Sequence, residues 1–373
     1  MNQGTIKKLQ ELPAYGSFID WTKLEKDVPD MLVGAYPNSD TDHIFESIIN
    51  TYAQEIVQGL CALGEFLHVK KMKLAVPSSN LVEQLFPYAD QKNIDIEETA
   101  FIHVRDYEAC FIDFVTLINI ARIESGKEIL FFIKVDANEV CEIEAGQQLK
   151  EYIKTDGLKA IVINHEFFAP NILEQKLDNT WNLGSGVVRT IRENECIVQM
   201  TIEETDVLRY KSCGICTFCR EGLYQIATTL NGMTKQGTKV ETLDLMQEIG
   251  EAMQKSYMCT LGQCAAKPFL SARTLFKEEM EVHCGRGKCP SGECKGFMNI
   301  YIDPHKCEGC GECIDICPKK CIDGKPKFIS MIDDFDCDKC GKCLDVCENE
   351  AIVCTSNRVP KLPTRPTKVG RFK

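Results

Sequence analysis

The segment Ser212-Cys213-Gly214-Ile215-Cys216-Thr217-Phe218-Cys219-Arg220-Glu221-Gly222 decides how the rest of the chain is read. Its three thiols, each separated from the next by two residues, stand in a loop that opens a helical stretch, and a single Cys259 follows 40 residues beyond Cys219. Three thiolates from one tight loop cover one face of a cubane iron–sulfur cluster, and a distant fourth closes it. Arg220, a cation beside the loop, favours the reduced cluster with its extra negative charge. The competing reading is a buried helix start with incidental thiols.

Further along, C-x2-C-x2-C-x3-C occurs twice, at Cys307, Cys310, Cys313 and Cys317 and again, 30 residues later, at Cys337, Cys340, Cys343 and Cys347. In two-cluster ferredoxins the fourth cysteine of each run ligates the other cluster. The assignment is therefore Cys307, Cys310 and Cys313 with Cys347, and Cys337, Cys340 and Cys343 with Cys317. Zinc ribbons use pairs of ligands rather than triplets, so zinc is the poorer reading here. Pro318 follows Cys317 as the pattern expects, whereas Glu348 stands in place of the second proline. The repeat sets Cys321 opposite Ala351, which reads as a packing position. Cys264, Cys321 and Cys354 are spare thiols on this view.

Between these runs lies His283-Cys284-Gly285-Arg286-Gly287-Lys288-Cys289-Pro290-Ser291-Gly292-Glu293-Cys294. Mixed imidazole and thiolate ligation suits zinc, and glycines permit a tight knuckle. His283, Cys289 and Cys294 form the expected core, with Cys284 the candidate fourth ligand. A further cluster and plain reduced thiols are the alternatives.

Upstream the chain changes character. Only Cys61, Cys110, Cys141 and Cys196 of the 22 cysteines fall in the first 200 residues. Asp40-Thr41-Asp42 offers caps for a helix whose apolar stripe is Ile44, Phe45, Ile48, Ile49, Tyr52, Ile56, Leu60 and Leu63. Strand-like runs follow at Lys73 to Val76 and Ala100 to Val104. From Gly126 onward, strands at Glu128 to Val135, Val140 to Ile143 and Leu158 to Asn164 enclose a short helix at Gln147 to Ile153, a β-grasp-like order. Beyond Ile202 helices are expected at Glu221 to Leu230, Glu241 to Met253 and Pro268 to Glu281.

The 373 residues carry 44% hydrophobic and 26% charged residues, which excludes disorder and fibrous classes. Lys+Arg of 43 against Asp+Glu of 55 argues against a nucleic-acid partner. No apolar run reaches the roughly 18 residues of a membrane span, and no secretory signal is read at the start. The expectation is a cytoplasmic protein whose dense thiols bind metal rather than form disulfides.

Ser212 to Gly222, taken with Cys259-Thr260-Leu261-Gly262-Gln263, resembles the NADH-oxidising flavoprotein subunit of complex I and of NAD-linked bifurcating hydrogenases. The resemblance extends back to about Gly126 and implies one cluster on Cys213, Cys216, Cys219 and Cys259. Bifurcating relatives append a Cys-Pro-x-Gly-x-Cys segment and a two-cluster ferredoxin, as here from Cys289 to Cys354. Phe218 stands where the family usually has proline, which spares every ligand.

The N-terminal part departs from that family. Its glycine-rich Gly-Arg-Gly-Gly-Ala-Gly-Phe-Pro loop corresponds to Leu12-Pro13-Ala14-Tyr15-Gly16-Ser17-Phe18, where only Gly16 survives. Its acidic loop corresponds to Gly34-Ala35-Tyr36-Pro37-Asn38-Ser39-Asp40, without carboxylates before Asp40. A phosphate needs close backbone approach, which side chains such as Tyr15 obstruct.

The expected organisation is a degenerate flavin- and NADH-binding-like α/β domain over 1–125 and a β-grasp module over 126–200. A helical iron–sulfur bundle over 201–283 follows, then a Cys-rich segment with an α+β ferredoxin-like domain over 284–358, and an extended tail over 359–373. The leading function is a non-catalytic electron-transfer subunit of a hetero-oligomeric oxidoreductase. It would hold three [4Fe–4S] clusters and zinc but no FMN, and pass electrons between a flavin- or NAD(P)-dependent redox subunit and a further acceptor or donor. A functional FMN-containing NADH dehydrogenase with a divergent pocket is the rival, and a docking scaffold whose metals serve stability is the third reading.

Overall fold

The computed structural model describes the chain apart from residues 17, 18, 39, 41, 43, 100–108, 145, 236, 237, 286, 356, 357 and 373, and apart from the side chains at 109, 110 and 295. It divides into two units, one made of Met1–Glu193, Met200–Thr228 and Glu241–Lys277, the other of Asn194–Gln199, Thr229–Val240 and Glu278–Lys373.

The first unit begins with α1 (Gln3–Leu9) and α2 (Trp21–Lys26), whose first turns are capped by the Asn2 and Asp20 side chains. There follow β1 (Met31–Ala35), α3 (Ile44–Leu67), β2 (Lys71–Val76), α4 (Ser79–Ala89), β3 (Asp95–Glu98), β4 (Ala109–Asp113) and α5 (Phe114–Glu124). The four strands form an all-parallel sheet in the order β3-β2-β1-β4. Leu32, Val33, Leu74, Val76 and Ile112 are buried in it, as strands covered on both faces require.

The expected apolar stripe lies on α3, where Ile44, Phe45, Ile48, Ile49, Ile56, Leu60 and Leu63 are all buried. Tyr52 instead marks a kink, with φ −117° and ψ 16°, and is only half-buried. Asp40 supplies the cap, its two carboxylate oxygens accepting the N–H groups of Ile44 and Phe45 at 3.1 Å. Thr41 and the strand expected at Ala100 to Val104 lie outside the described residues. Backbone approach between α3 and α5 is so close that a Cβ on Gly59 would sit 1.9 Å from the Leu117 carbonyl oxygen.

A second, five-stranded sheet holds β5 (Leu130–Val135), β6 (Val140–Glu144), β7 (Leu158–Ile163), β8 (Glu166–Phe168) and β9 (Val187–Arg192) in the order β6-β5-β9-β7-β8. β5 and β9 are parallel and the other pairs antiparallel. The helix expected at Gln147 to Ile153 is a single 3-10 turn, Leu149–Glu151. So short a segment gains too few backbone bonds to offset helix nucleation. One hydrophobic core runs through both sheets, joining Leu32, Ile56 and Phe114 with Phe131, Ile161 and Leu183. The segments 1–125 and 126–193 therefore share their packing.

The helical part consists of α6 (Ile197–Lys211), α7 (Thr217–Met233), α8 (Val240–Lys255), α9 (Thr260–Cys264), α10 (Lys267–Leu275) and α11 (Lys277–Gly285). Pro268 sits in the first turn of α10, where its missing N–H costs nothing. The helix expected over Pro268 to Glu281 is two helices, because Phe276 leaves helical space at φ −123° and ψ 38°.

The second unit adds β10 (Asn299–Ile302), α12 (Glu312–Ile316), β11 (Ile322–Asp323), β12 (Met331–Ile332), α13 (Lys342–Asp345) and β13 (Ile352–Thr355). β10 pairs antiparallel with β13, and β11 with β12. The 30-residue repeat is written into the backbone, since φ is positive at Gly309 and Lys339, at Gly311 and Gly341, and at Lys320 and Glu350. In the tail, the Ile329 N–H donates to the Thr367 carbonyl and the Val369 N–H to that of Lys327. Among the described residues no helix is long and apolar enough to cross a membrane.

Candidate functional site

Four thiols of the first unit lie near one another. Cys213, Cys216 and Cys219 stand on the loop and first turn of α7, and Cys259 is buried at the N-cap of α9. Burial pushes the Cys219 thiol up, and Cys259, Cys216 and Cys213 push it further. The loop is held by Arg220, which donates to the Gly214 carbonyl at 2.9 Å, and by Ser212, whose hydroxyl lies 3.5 Å from the Cys219 thiol. Burial of Cys219 and Cys259 disfavours a free thiolate, a cost that iron relieves by taking the thiols as ligands. The donor set fits a cubane cluster.

Cys259 has a partner that no sequence signal marked. Burial pushes its thiol up, while hydrogen bonds from the Gly262 N–H and the Asn38 side chain work against that rise. Asn38 also donates its backbone N–H to the Thr260 hydroxyl at 2.7 Å. It belongs to the Gly34 to Asp40 stretch, which the sequence marks only by its missing carboxylates. Ser39 lies outside the described residues.

In the repeated runs thiols from both halves stand near one another. Burial raises the Cys313 thiol, and Cys307, Cys310 and Cys347 add to the rise. Cys343 is pushed up to about 11, chiefly by burial and then by its neighbours Cys337, Cys313 and Cys340. Gly311 and Gly341 open α12 and α13 at φ +93° and +83°, the left-handed turn that aims each run's third cysteine inward. Both sets are all-thiol and fit the same kind of cluster.

The histidine group differs from expectation in one ligand. Cys196, His283, Cys289 and Cys294 are all buried, and their ligand atoms lie within 4.8 Å of one another. Cys284 is not in this group. Neighbouring residues on a helix do not share a face, so Cys284 on α11 cannot join His283 in the same cage. Cys196, just ahead of α6, takes that place, with Sγ 3.3 Å from His283 Nε2 and 3.5 Å from Cys294 Sγ. Its N–H donates to Glu293, the next N–H donates to Glu279, and Ser291 donates to the Glu195 carbonyl, so three bonds strap the segment down.

Tetrahedral zinc with sulfur bonds of about 2.3 Å would set thiolates about 3.8 Å apart. The 3.5 Å spacing of Cys196 and Cys294 and the 3.6 Å from Cys294 to His283 Nε2 suit so small an ion. His283 Nδ1 faces the Glu279 carbonyl at 2.7 Å and must donate to it, which leaves Nε2 free to ligate. The nearby Cys294 thiol pulls the Cys196 thiol down against the cost of burial.

The Leu12 to Gly16 strand-like segment is fixed by side chains. Tyr15 is buried, its hydroxyl accepting the Phe132 N–H at 2.8 Å and donating to the Phe132 carbonyl at 3.0 Å. Asn182 clamps Gly16 from both sides, accepting its N–H and donating to its carbonyl. A cavity of 260 Å³ lies beside this segment, lined among others by Tyr15, Trp21, Asp113, Thr116 and Asn119. Burial pushes Asp113 up to about 6, although Thr116 donates to it with both N–H and hydroxyl. Ser17 and Phe18 lie outside the described residues.

Comparison with known proteins gives two regional matches. Residues 200–283 match the NADH-ubiquinone oxidoreductase-F iron-sulfur binding region, and residues 306–352 match the 4Fe-4S dicluster domain. The NADP-reducing hydrogenase subunit HndC of Solidesulfovibrio fructosivorans is 36% identical over 146 residues, 39% of this chain and 30% of that protein. An NADH-quinone oxidoreductase subunit of Streptomyces coelicolor is 34% identical over 109 residues, 29% of this chain and 24% of that protein. The chain thus spans less than a third of either relative. Its fold is similar to a chain of the NAD+-reducing [NiFe]-hydrogenase in the H2-reduced state, with a TM-score of 0.61 at 14% identity, covering 75% of this chain and 62% of that one. The chain therefore carries iron–sulfur regions of the kind found in these oxidoreductase subunits.

Proposed function

We propose that this chain is an iron–sulfur electron-transfer subunit of a cytoplasmic multi-subunit oxidoreductase. One set of ligands is Cys213, Cys216, Cys219 and Cys259. The others are Cys307, Cys310, Cys313 and Cys347, and Cys337, Cys340, Cys343 and Cys317. Bound there, [4Fe–4S] clusters supply one-electron transfer and, being saturated by cysteine, offer substrate no open site. The partners are a flavin- or NAD(P)-dependent redox subunit and a further electron donor or acceptor. Zinc on Cys196, His283, Cys289 and Cys294 has a structural part, since a closed four-ligand set leaves no position for water.

The observation that carries the reading is the contrast between complete thiol sets and the side-chain-filled loop at Tyr15. The Tyr15 ring and the Asn182 clamp occupy the backbone where a phosphate would need to approach. The neighbouring 260 Å³ cavity is smaller than the roughly 300 Å³ at which small-molecule pockets begin. Asn38, from the other degenerate loop, serves Cys259 instead. No flavin is therefore expected on this chain.

Anaerobic purification followed by iron and flavin analysis tests this directly. About twelve irons per chain with negligible flavin and no NADH-dependent dye reduction is the expected result. Stoichiometric FMN with strong NADH activity of the isolated chain would overturn it in favour of a working dehydrogenase.

A further inference from the structure

The two halves of the C-terminal repeat differ at one buried position. The fourth cysteine of each run is followed, four residues on, by Cys321 in the first half and Ala351 in the second. The backbone leading into both is alike, with φ of 52° at Lys320 and 46° at Glu350. Both side chains are buried. In the second half, the Ala351 N–H donates to the Cys347 thiol at 3.3 Å, and the methyl group completes the packing. Packing alone therefore calls for nothing larger than alanine.

In the first half the same position carries a thiol. Cys321 Sγ lies 3.5 Å from Cys317 Sγ, within hydrogen-bonding reach. Cys337, assigned to the same cluster as Cys317, lies near Cys321 as well.

We infer that Cys321 is a reserve ligand for the cluster of Cys337, Cys340 and Cys343, able to replace Cys317. This rests on the three-cluster reading above. In the exchange an iron–sulfur bond to Cys321 forms and the one to Cys317 breaks. The proton of the Cys321 thiol passes to Cys317 across their 3.5 Å contact. No electron is gained or lost, and the net charge of the site is unchanged. The cluster of Cys307, Cys310, Cys313 and Cys347 has no such reserve, because Ala351 stands in its place.

The internal repeat supplies the control. The full chain is produced with Cys317→Ala, Cys321→Ala, both together, Cys347→Ala and Cys343→Ala, and iron, acid-labile sulfide and the reduced-state EPR spectrum are measured. Cys317→Ala and Cys321→Ala singly are expected to keep the wild-type iron content. The double variant and Cys347→Ala should each lose up to one cluster, about four irons. Equal loss in Cys317→Ala and Cys347→Ala would overturn the inference. Should Cys317→Ala not fold, Cys317→Ser retains the side-chain volume. Identical iron and EPR signals in that variant with and without Cys321→Ala would likewise overturn it. Unchanged iron in Cys343→Ala would instead overturn the three-cluster reading itself.

Discussion

Asn38 and Cys259 stand far apart in sequence, yet the Asn38 side chain hydrogen-bonds the Cys259 thiol. Hydrogen bonds to ligand sulfur stabilise the more negative, reduced cluster and raise its potential. Asn38→Leu should therefore lower the midpoint potential of the cluster on Cys213, Cys216, Cys219 and Cys259. A bond to a charged group of about 1.5 kcal/mol corresponds to at most about 60 mV for one electron. EPR-monitored redox titration reads the shift, and a change confined to the other two clusters would contradict the assignment.

Zinc content distinguishes Cys196 from Cys284. Cys196→Ala removes one of four ligands and should cost about one zinc per chain, with a lower thermal midpoint. Cys284→Ala should keep its zinc. Elemental analysis of the two variants beside wild type decides the matter, and the opposite pattern would restore the ligand set drawn from the sequence alone.

Asp113 makes stability depend on pH in an unusual direction. Its folded-state value, about 6, lies above the ordinary 3.8, chiefly through burial. The folded chain therefore binds this proton more tightly than the unfolded chain. Its contribution is fully present below about pH 4 and is lost as pH rises through about 6. The loss is at most about 3 kcal/mol. Asp113→Asn keeps an acceptor for the Thr116 N–H but carries no charge. Its stability relative to wild type should rise from pH 4 to 6.5 and then level off, as read by denaturant unfolding at matched metal content.

The Tyr15 hydroxyl satisfies two buried backbone groups of Phe132 at once. Tyr15→Phe keeps the ring and leaves the Phe132 N–H and carbonyl unpaired. A destabilisation of about 2 kcal/mol is expected in chemical denaturation, with cluster content unchanged. Loss of iron in this variant would tie the loop to the cluster more closely than its hydrogen bonds do.

What was legible in the sequence follows from contact range. The stripe on α3 and its cap at Asp40 were readable because a helix brings neighbours three and four residues apart onto one face. The thiol triplets were readable for the same reason, since a cluster loop is a local object with fixed spacing. Cys196 was not, because a thiol brought in from a distant segment carries no spacing signal. Phe276, which splits the expected last helix into two, gave no local sign either.

The donor chemistry is written along the chain, in the thiol triplets and in a histidine among thiols. Which distant residues come up to those groups emerges only on folding. Cys196 reaches the histidine site through three hydrogen bonds to Glu293, Glu279 and Ser291, and Asn38 reaches Cys259 from a loop between β1 and α3. Cys321 differs from Ala351 by a thiol that the linear repeat places at a packing position. The fold sets it 3.5 Å from the Cys317 thiol, because the turn after Cys317 folds the chain back on itself within four residues. Ligand type is fixed by covalent chemistry along the chain, whereas ligand partnership depends on distances that exist only once the chain has packed.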